Sequence, residues 1–132
     1  MITFTDLDIA AKTVWGEARG EGELGMLAVA CVIVNRANKK DAQLASVCLK
    51  PFQFSAWNKD DPNKPAMETL TPDDKLYRKA LCCVLRAIDE AGTAADPTLG
   101  ADHYHTLSVR PYWADKLQET ATIYSHRFYK ES

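Results

Sequence analysis

A chain of 132 residues has room for one domain with a real core and not for two. Its 46% apolar and 26% charged residues are those of an ordinary globular protein, and a net charge of -2 argues against a nucleic-acid binder or a protein steered to anionic membranes. The longest apolar run, Met26 to Val34, is far too short to cross a bilayer, so no membrane insertion is expected. Met1-Ile2-Thr3-Phe4-Thr5-Asp6 lacks the basic and apolar regions of a secretory signal, which predicts synthesis in the cytoplasm without a signal peptide. Cys31, Cys48, Cys82 and Cys83 show no metal-binding spacing and are expected as reduced thiols.

The first predicted helix runs from Asp6 to Ala18, with Thr5 or Asp6 as its N-cap. Leu7, Ala10, Ala11, Val14, Trp15 and Ala18 form one apolar face there. Its end, Trp15-Gly16-Glu17-Ala18-Arg19-Gly20-Glu21-Gly22, gathers two carboxylates, an Arg and three glycines in eight residues. Glu17 falls at the border of the apolar stripe, where partial desolvation suits a proton donor. The glycines leave room for a ligand beside that acid, or let the chain turn. The same pattern also fits a plain helix end in which Glu17 pairs with Arg19. Local sequence leaves both readings open.

A second helix is expected from about Glu23 to Asn38. Met26 to Val34 has no polar face, which marks this helix as the central core element. Arg36, near its end, is placed to reach back toward the Glu17 loop. Residues 39–65 are the least regular part. Within them Pro51-Phe52-Gln53-Phe54-Ser55-Ala56-Trp57 alternates aromatic and polar residues, which suits an extended segment lining a groove and stacking on sugars, or a loop whose Phe residues plug the core. A third helix is predicted with Thr71 as N-cap, Pro72 in the first turn and Gly92 as stop. Its buried stripe would be Leu76, Ala80, Cys83, Val84, Ala87, Ile88 and Ala91. Pro111-Tyr112-Trp113 should open a short helical turn, and residues 122–129 read as a strand.

Other chemistries are weaker. His103 and His105 would share one face of a strand, and His126 could complete a three-His zinc site, but no HExxH helix accompanies them. The cysteines lie in apolar helical patterns that favour inert thiols over a Cys–His nucleophile, and no GxSxG elbow supports a serine triad. Glu17 and Glu21, four apart, would neighbour each other on one side of a continued helix. Glycosidases that use two carboxylates place them on either side of the scissile bond, so the spacing favours one essential acid, with Glu21 supporting the loop or pairing with Arg19 or Arg36.

Several segments match a known family in order along nearly the whole chain. Trp15 to Glu21, Ala28-Val29-Ala30, Val32 to Arg36, Ser46-Val47, Pro51 to Ser55, Gly100 to His105 and the ending His126-Arg127-Phe128-Tyr129 together resemble the SleB/CwlJ-like cell-wall hydrolases. The resemblance implies a mainly α (α+β), lysozyme-like single domain with a small β element over residues 1–132. It implies cleavage of peptidoglycan glycan strands between N-acetylmuramic acid and N-acetylglucosamine, by lytic transglycosylation. Glu17 would then be the catalytic acid, returning as the base for the muramoyl C6 hydroxyl. Gln53, Phe54, Ser55, Tyr104 and His105 would line the substrate cleft, with Glu21 and Arg36 supporting, and without metal or organic cofactor. His103-Tyr104-His105 departs from the family's usual Phe-Tyr-Asn-like run.

The remaining expectations concern context. A bare catalytic domain with no export signal resembles a phage endolysin released through a holin, or a virion-associated lysin, working as a monomer on the wall. The competing activities are a hydrolytic muramidase and an N-acetylmuramoyl-L-alanine amidase, the latter needing zinc. From another class, a non-catalytic peptidoglycan-binding or virion structural domain could keep the same fold.

Overall fold

In the computed structural model, which describes residues 1–131, helix α1 spans Phe4–Ala18. It starts earlier than expected because Thr3, and not Thr5 or Asp6, is the N-cap. The Thr3 hydroxyl accepts from the Asp6 backbone N–H at 3.1 Å, and the Asp6 carboxylate accepts from the Thr3 N–H at 2.9 Å. This reciprocal pair satisfies two donors that a helix start leaves open. The second Asp6 oxygen accepts from the Ala45 N–H at 3.0 Å, so a cap residue also ties α1 to α3 (Leu44–Leu49).

A 3₁₀ turn over Arg19–Glu21 separates α1 from α2 (Gly22–Lys40). Gly22 takes φ 74 at the junction, a conformation that favours glycine. All residues from Gly25 to Val34 are buried. One side of α2 packs with α1, α3 and α5 (Lys75–Glu90) in the larger core, while Ala28 and Val32 face Ala101, Ile123 and Phe128 beneath the sheet. A helix between two layers needs apolar residues all round, which is the pattern read from Met26 to Val34.

After α3 come a 3₁₀ turn at Ser55–Trp57 and the short α4 (Lys64–Glu68). Helix α5 starts later than predicted. Thr71 to Asp74 form a turn, with the Asp74 N–H donating to the Thr71 carbonyl at 3.0 Å, and Asp74 then caps the helix by accepting from the Tyr77 N–H at 2.8 Å. Tyr77 opens the buried stripe in place of Leu76, which is exposed, because the Tyr77 hydroxyl reaches Asp8 on α1 at 2.7 Å. Ile88 and Ala91 are only partly buried.

Beyond α5 lie β1 (His103–Thr106), a 3₁₀ turn over Tyr112–Lys116, β2 (Gln118–Ile123) and β3 (His126–Lys130). They form one antiparallel sheet in the order β1-β3-β2. The single strand expected over 122–129 is in fact a hairpin. Tyr124, at φ 50, takes the left-handed position that hairpin turns usually give to Gly or Asn, so the turn has no sequence signature. The chain is mainly helical with this small sheet, the α+β architecture predicted.

Candidate active site

Glu17 sits in the last turn of α1, half-buried at the floor of an open cleft of about 430 Å³. The cleft is lined by residues 16–21 of the α1–α2 junction, by Asn63, and by Thr106, Ser125 and His126 of the sheet. Both Glu17 oxygens are held. Oε2 accepts from the Ala56 N–H at 3.0 Å and from the Ser55 hydroxyl at 3.3 Å, and Oε1 accepts from the Tyr104 hydroxyl. Helix, loop and strand thus each contribute to one carboxylate.

Gly16 makes the loop contact possible. A Cβ there would lie 2.6 Å from Met67 Sδ and 2.7 Å from Ala56 Cβ, so its role is to let Ala56 and Met67 approach α1. The ligand space and chain turn expected of the glycines fall instead to Gly20, which has open space around it, and to Gly22.

Tyr104 is packed between Phe54, with ring centroids 6.4 Å apart, His126 at 4.9 Å and Phe128 at 5.7 Å. Burial and the neighbouring Glu17 charge push its phenol well above its ordinary pKa, so Tyr104 remains a donor. Phe54 is fully buried under it and acts as the plug of the sequence alternatives, while Phe52 carries the exposed ring of that segment.

The other sequence-predicted residues are placed differently. Arg19 makes no ion pair with Glu17 among the described residues. Its guanidinium lies 3.9 Å over the Trp15 ring and donates to Asn63 at 2.8 Å. Glu21 pairs with neither Arg19 nor Arg36, and its carboxylate accepts from the Ser125 N–H at 2.9 Å and the Ser125 hydroxyl at 2.8 Å. The buried Arg36 donates to the Asp102 carbonyl at 3.1 and 2.7 Å and to Gln53 Oε1 at 3.4 Å, and stands 5.2 Å over the Phe54 ring. It therefore backs the aromatic layer and does not reach the Glu17 loop. Gln53 follows Arg36 away from the acid.

His105 is a clearer correction. Strand alternation turns it to the face opposite Tyr104, where it is buried between Tyr129, stacked at 5.3 Å, and Trp113, at 5.8 Å. Its Nδ1 faces the Thr106 carbonyl at 2.7 Å and its Nε2 the Tyr129 hydroxyl at 2.9 Å. It is a core histidine, remote from the cleft. His103 shares that face, whereas His126 is paired with Thr106 on the Tyr104 face, so the three imidazoles do not converge. Among the described residues no group of three His, Cys, Asp or Glu side chains is placed to hold a metal. The cysteines are unpaired, and burial pushes the Cys48 thiol up to about 12 and Cys83 up to about 11, as expected of inert thiols.

In the sequence His126 reads as a candidate metal ligand and as part of the closing family motif, with no place in the cleft. Its place in the cleft had one local signal, a histidine directly after Tyr124-Ser125, but the turn that aims it was not legible.

Comparison with known proteins bears on this geometry. A profile described as cell wall hydrolase matches residues 20–129, beginning three residues past Glu17. The spore cortex-lytic enzyme of Halalkalibacterium halodurans is 32% identical over 101 residues, covering 75% of this chain and 26% of that protein. The enzyme of the same description from Oceanobacillus iheyensis is 34% identical over 91 residues, covering 67% of this chain and 30% of that one. The chain thus spans less than a third of the length of these curated relatives.

Among solved structures, the catalytic domain of the germination-specific lytic transglycosylase SleB from Bacillus anthracis superposes with a TM-score of 0.76 at 30% identity, over 97% of this chain and 96% of that one. The catalytic domain of the Bacillus cereus SleB protein gives 0.77 at 29% identity, over 98% and 93%. The fold is that of these catalytic domains, lysozyme-like and α+β. With its profile match and near-complete structural correspondence, the chain belongs to the cell wall hydrolase family, the SleB/CwlJ-like group that its motifs resemble.

Proposed function

We propose that this chain is a peptidoglycan lytic transglycosylase, forming over residues 1–132 a single monomeric catalytic domain that cuts the glycan strand between N-acetylmuramic acid and N-acetylglucosamine. The observation that carries the reading is the Glu17 carboxylate, fixed by three donors at the floor of an open cleft. In its protonated form such a group can deliver a proton to a glycosidic oxygen laid across it. The only other carboxylate lining that cleft among the described residues, Glu21, has both oxygens engaged by Ser125. That supports a one-acid cleavage in which the muramoyl C6 hydroxyl, and not a water activated by a second acid, attacks C1.

In this reading Ser55 and Tyr104 hold the acid, Phe54 and Arg36 support Tyr104 from below, and Gln53 and His105 do not touch the reacting bond. The similar SleB catalytic domain of Bacillus anthracis, a germination-specific lytic transglycosylase, agrees with it. The test is mass spectrometry of products from purified peptidoglycan, with Glu17→Gln alongside. Muropeptides ending in 1,6-anhydromuramic acid are expected, and the variant should lose on the order of 10²- to 10⁴-fold in rate. Reducing sugar ends would make the enzyme a muramidase. Free stem peptides would make it an amidase, and binding without cleavage by either form would make it a non-catalytic wall binder.

A further inference from the structure

The cleft that holds Glu17 is also lined by an imidazole that the reading above does not use. His126 opens β3 and is 4% exposed. Its Nδ1 is sealed from solvent and lies 3.2 Å from Glu21 Oε1, without aligned hydrogen-bond geometry. Among the described residues Nε2 has no hydrogen-bond partner, yet it is not among the sealed atoms, and His126 lines the cleft. Nε2 is therefore not sealed, and His126 and Glu17 line the same cleft. Glu21 is in turn pinned by the Ser125 N–H at 2.9 Å and hydroxyl at 2.8 Å, so the hairpin turn sets both the imidazole and the carboxylate behind it.

We propose that His126, held beside the Glu21 carboxylate, is the base of this site: its Nε2 takes the proton of the sugar hydroxyl that attacks the anomeric carbon, while Glu17 protonates the departing oxygen. This inference rests on the transglycosylase reading and replaces its single acid–base residue with two. In the step, the bond from the C6 oxygen to C1 forms and the bond from C1 to the bridging oxygen breaks. The bonding pair leaves with the bridging oxygen and takes up the Glu17 proton, and the C6 hydroxyl proton passes to Nε2. Transfer of that proton through solvent to Glu17 restores both groups, and no further reactant is needed. The occupancy of Glu17 favours this division, since its two oxygens already accept from Tyr104, Ser55 and Ala56 once the proton has left.

The groups around His126 are Glu21 from the α1–α2 junction, Glu17 from α1 and Tyr104 from β1, with Phe128 on its own strand, while His105 acts on it only as a charge from the other face of the sheet. Burial lowers its pKa below 6.5, against the pull of Glu21 and Glu17 and with a smaller push from His105. The neutral form a base requires is thus present at neutral pH, and kcat/KM should fall as pH drops through that lowered value.

The experiment compares the full chain with His126→Gln and Glu21→Gln on purified peptidoglycan. Rates are measured from acid to neutral pH, products by mass spectrometry, and folding by near-UV circular dichroism. His126→Gln is expected to stay folded, lose about 10²-fold or more in kcat, and lose the acid limb of the profile. Glu21→Gln removes a charge that raises the His126 pKa, so its acid limb should move to lower pH. Should His126→Gln unfold, that shift in Glu21→Gln decides the matter. A His126→Gln enzyme with the wild-type rate and acid limb, or a Glu21→Gln enzyme with an unmoved limb, overturns the assignment. Reducing ends from the wild type would instead refute the transglycosylase reading, and loss of the limb in His126→Gln would still support His126 as the base.

Discussion

The Tyr104 hydroxyl donates to Glu17 Oε1 across 87 residues of chain, joining the first helix to the first strand at the carboxylate proposed as the acid. Tyr104→Phe keeps the ring between Phe54, His126 and Phe128 and removes only this donor. A hydrogen bond to a charged acceptor is worth about 1.5–3 kcal/mol, so kcat should fall roughly 10- to 100-fold. Steady-state kinetics on solubilised glycan strands, read beside a melting curve that shows the variant still folded at the assay temperature, checks this.

Gly16→Ala should damage stability and activity together. The added Cβ meets Met67 and Ala56, both buried, and Ala56 is the residue whose N–H holds Glu17. Overpacking of this kind costs about 1–3 kcal/mol. The urea midpoint and kcat measured on the same preparation should both fall, whereas Gly20→Ala, with open space around it, should leave the urea midpoint unchanged.

Asp96 makes stability depend on acid pH. The side chain is 1% exposed and accepts from the Gly92, Thr98 and Gly100 N–H groups, the Thr98 hydroxyl and the Asn35 amide. Burial alone would raise its pKa, but the Gly92 N–H, the Thr98 hydroxyl and the Asn35 amide outweigh it and hold the carboxyl below 3.8. A depressed folded-state pKa contributes stability above the unfolded-state value that is lost as pH falls through the folded one. Asp96→Asn should cost about 2 kcal/mol at neutral pH, and the gap from wild type should narrow well below pH ~4. Chemical denaturation at the two pH values measures both.

Chelation should have no effect on wall cleavage. His103 and His105 share one face of the sheet and His126 the other, so a three-His zinc site cannot assemble without refolding β1 or β3. Turbidity assays before and after dialysis against EDTA are the check. An activity that disappears with EDTA and returns with zinc would point to an amidase.

The sequence by itself determined the helical layers and the position of Glu17 on its helix. The all-apolar run Met26–Val34 can only be satisfied by burial on every side, and Glu17 sits where the α1 stripe meets solvent. Both follow from the period of one helix, which neighbouring residues encode. The helix starts were only partly legible, because Thr3 and Asp74 win as caps by bonds to Asp6 and Tyr77 that compete with equally plausible caps nearby. Tertiary structure alone decided what surrounds the acid. That Tyr104 faces Glu17 while His105 does not, and that Glu21 binds the β2–β3 turn and not an arginine, depend on strand phase and on a hairpin whose tight residue is Tyr124. Those contacts join residues far apart in the chain. Their geometry is set by how helix and sheet pack across α2, and no local pattern carries that information.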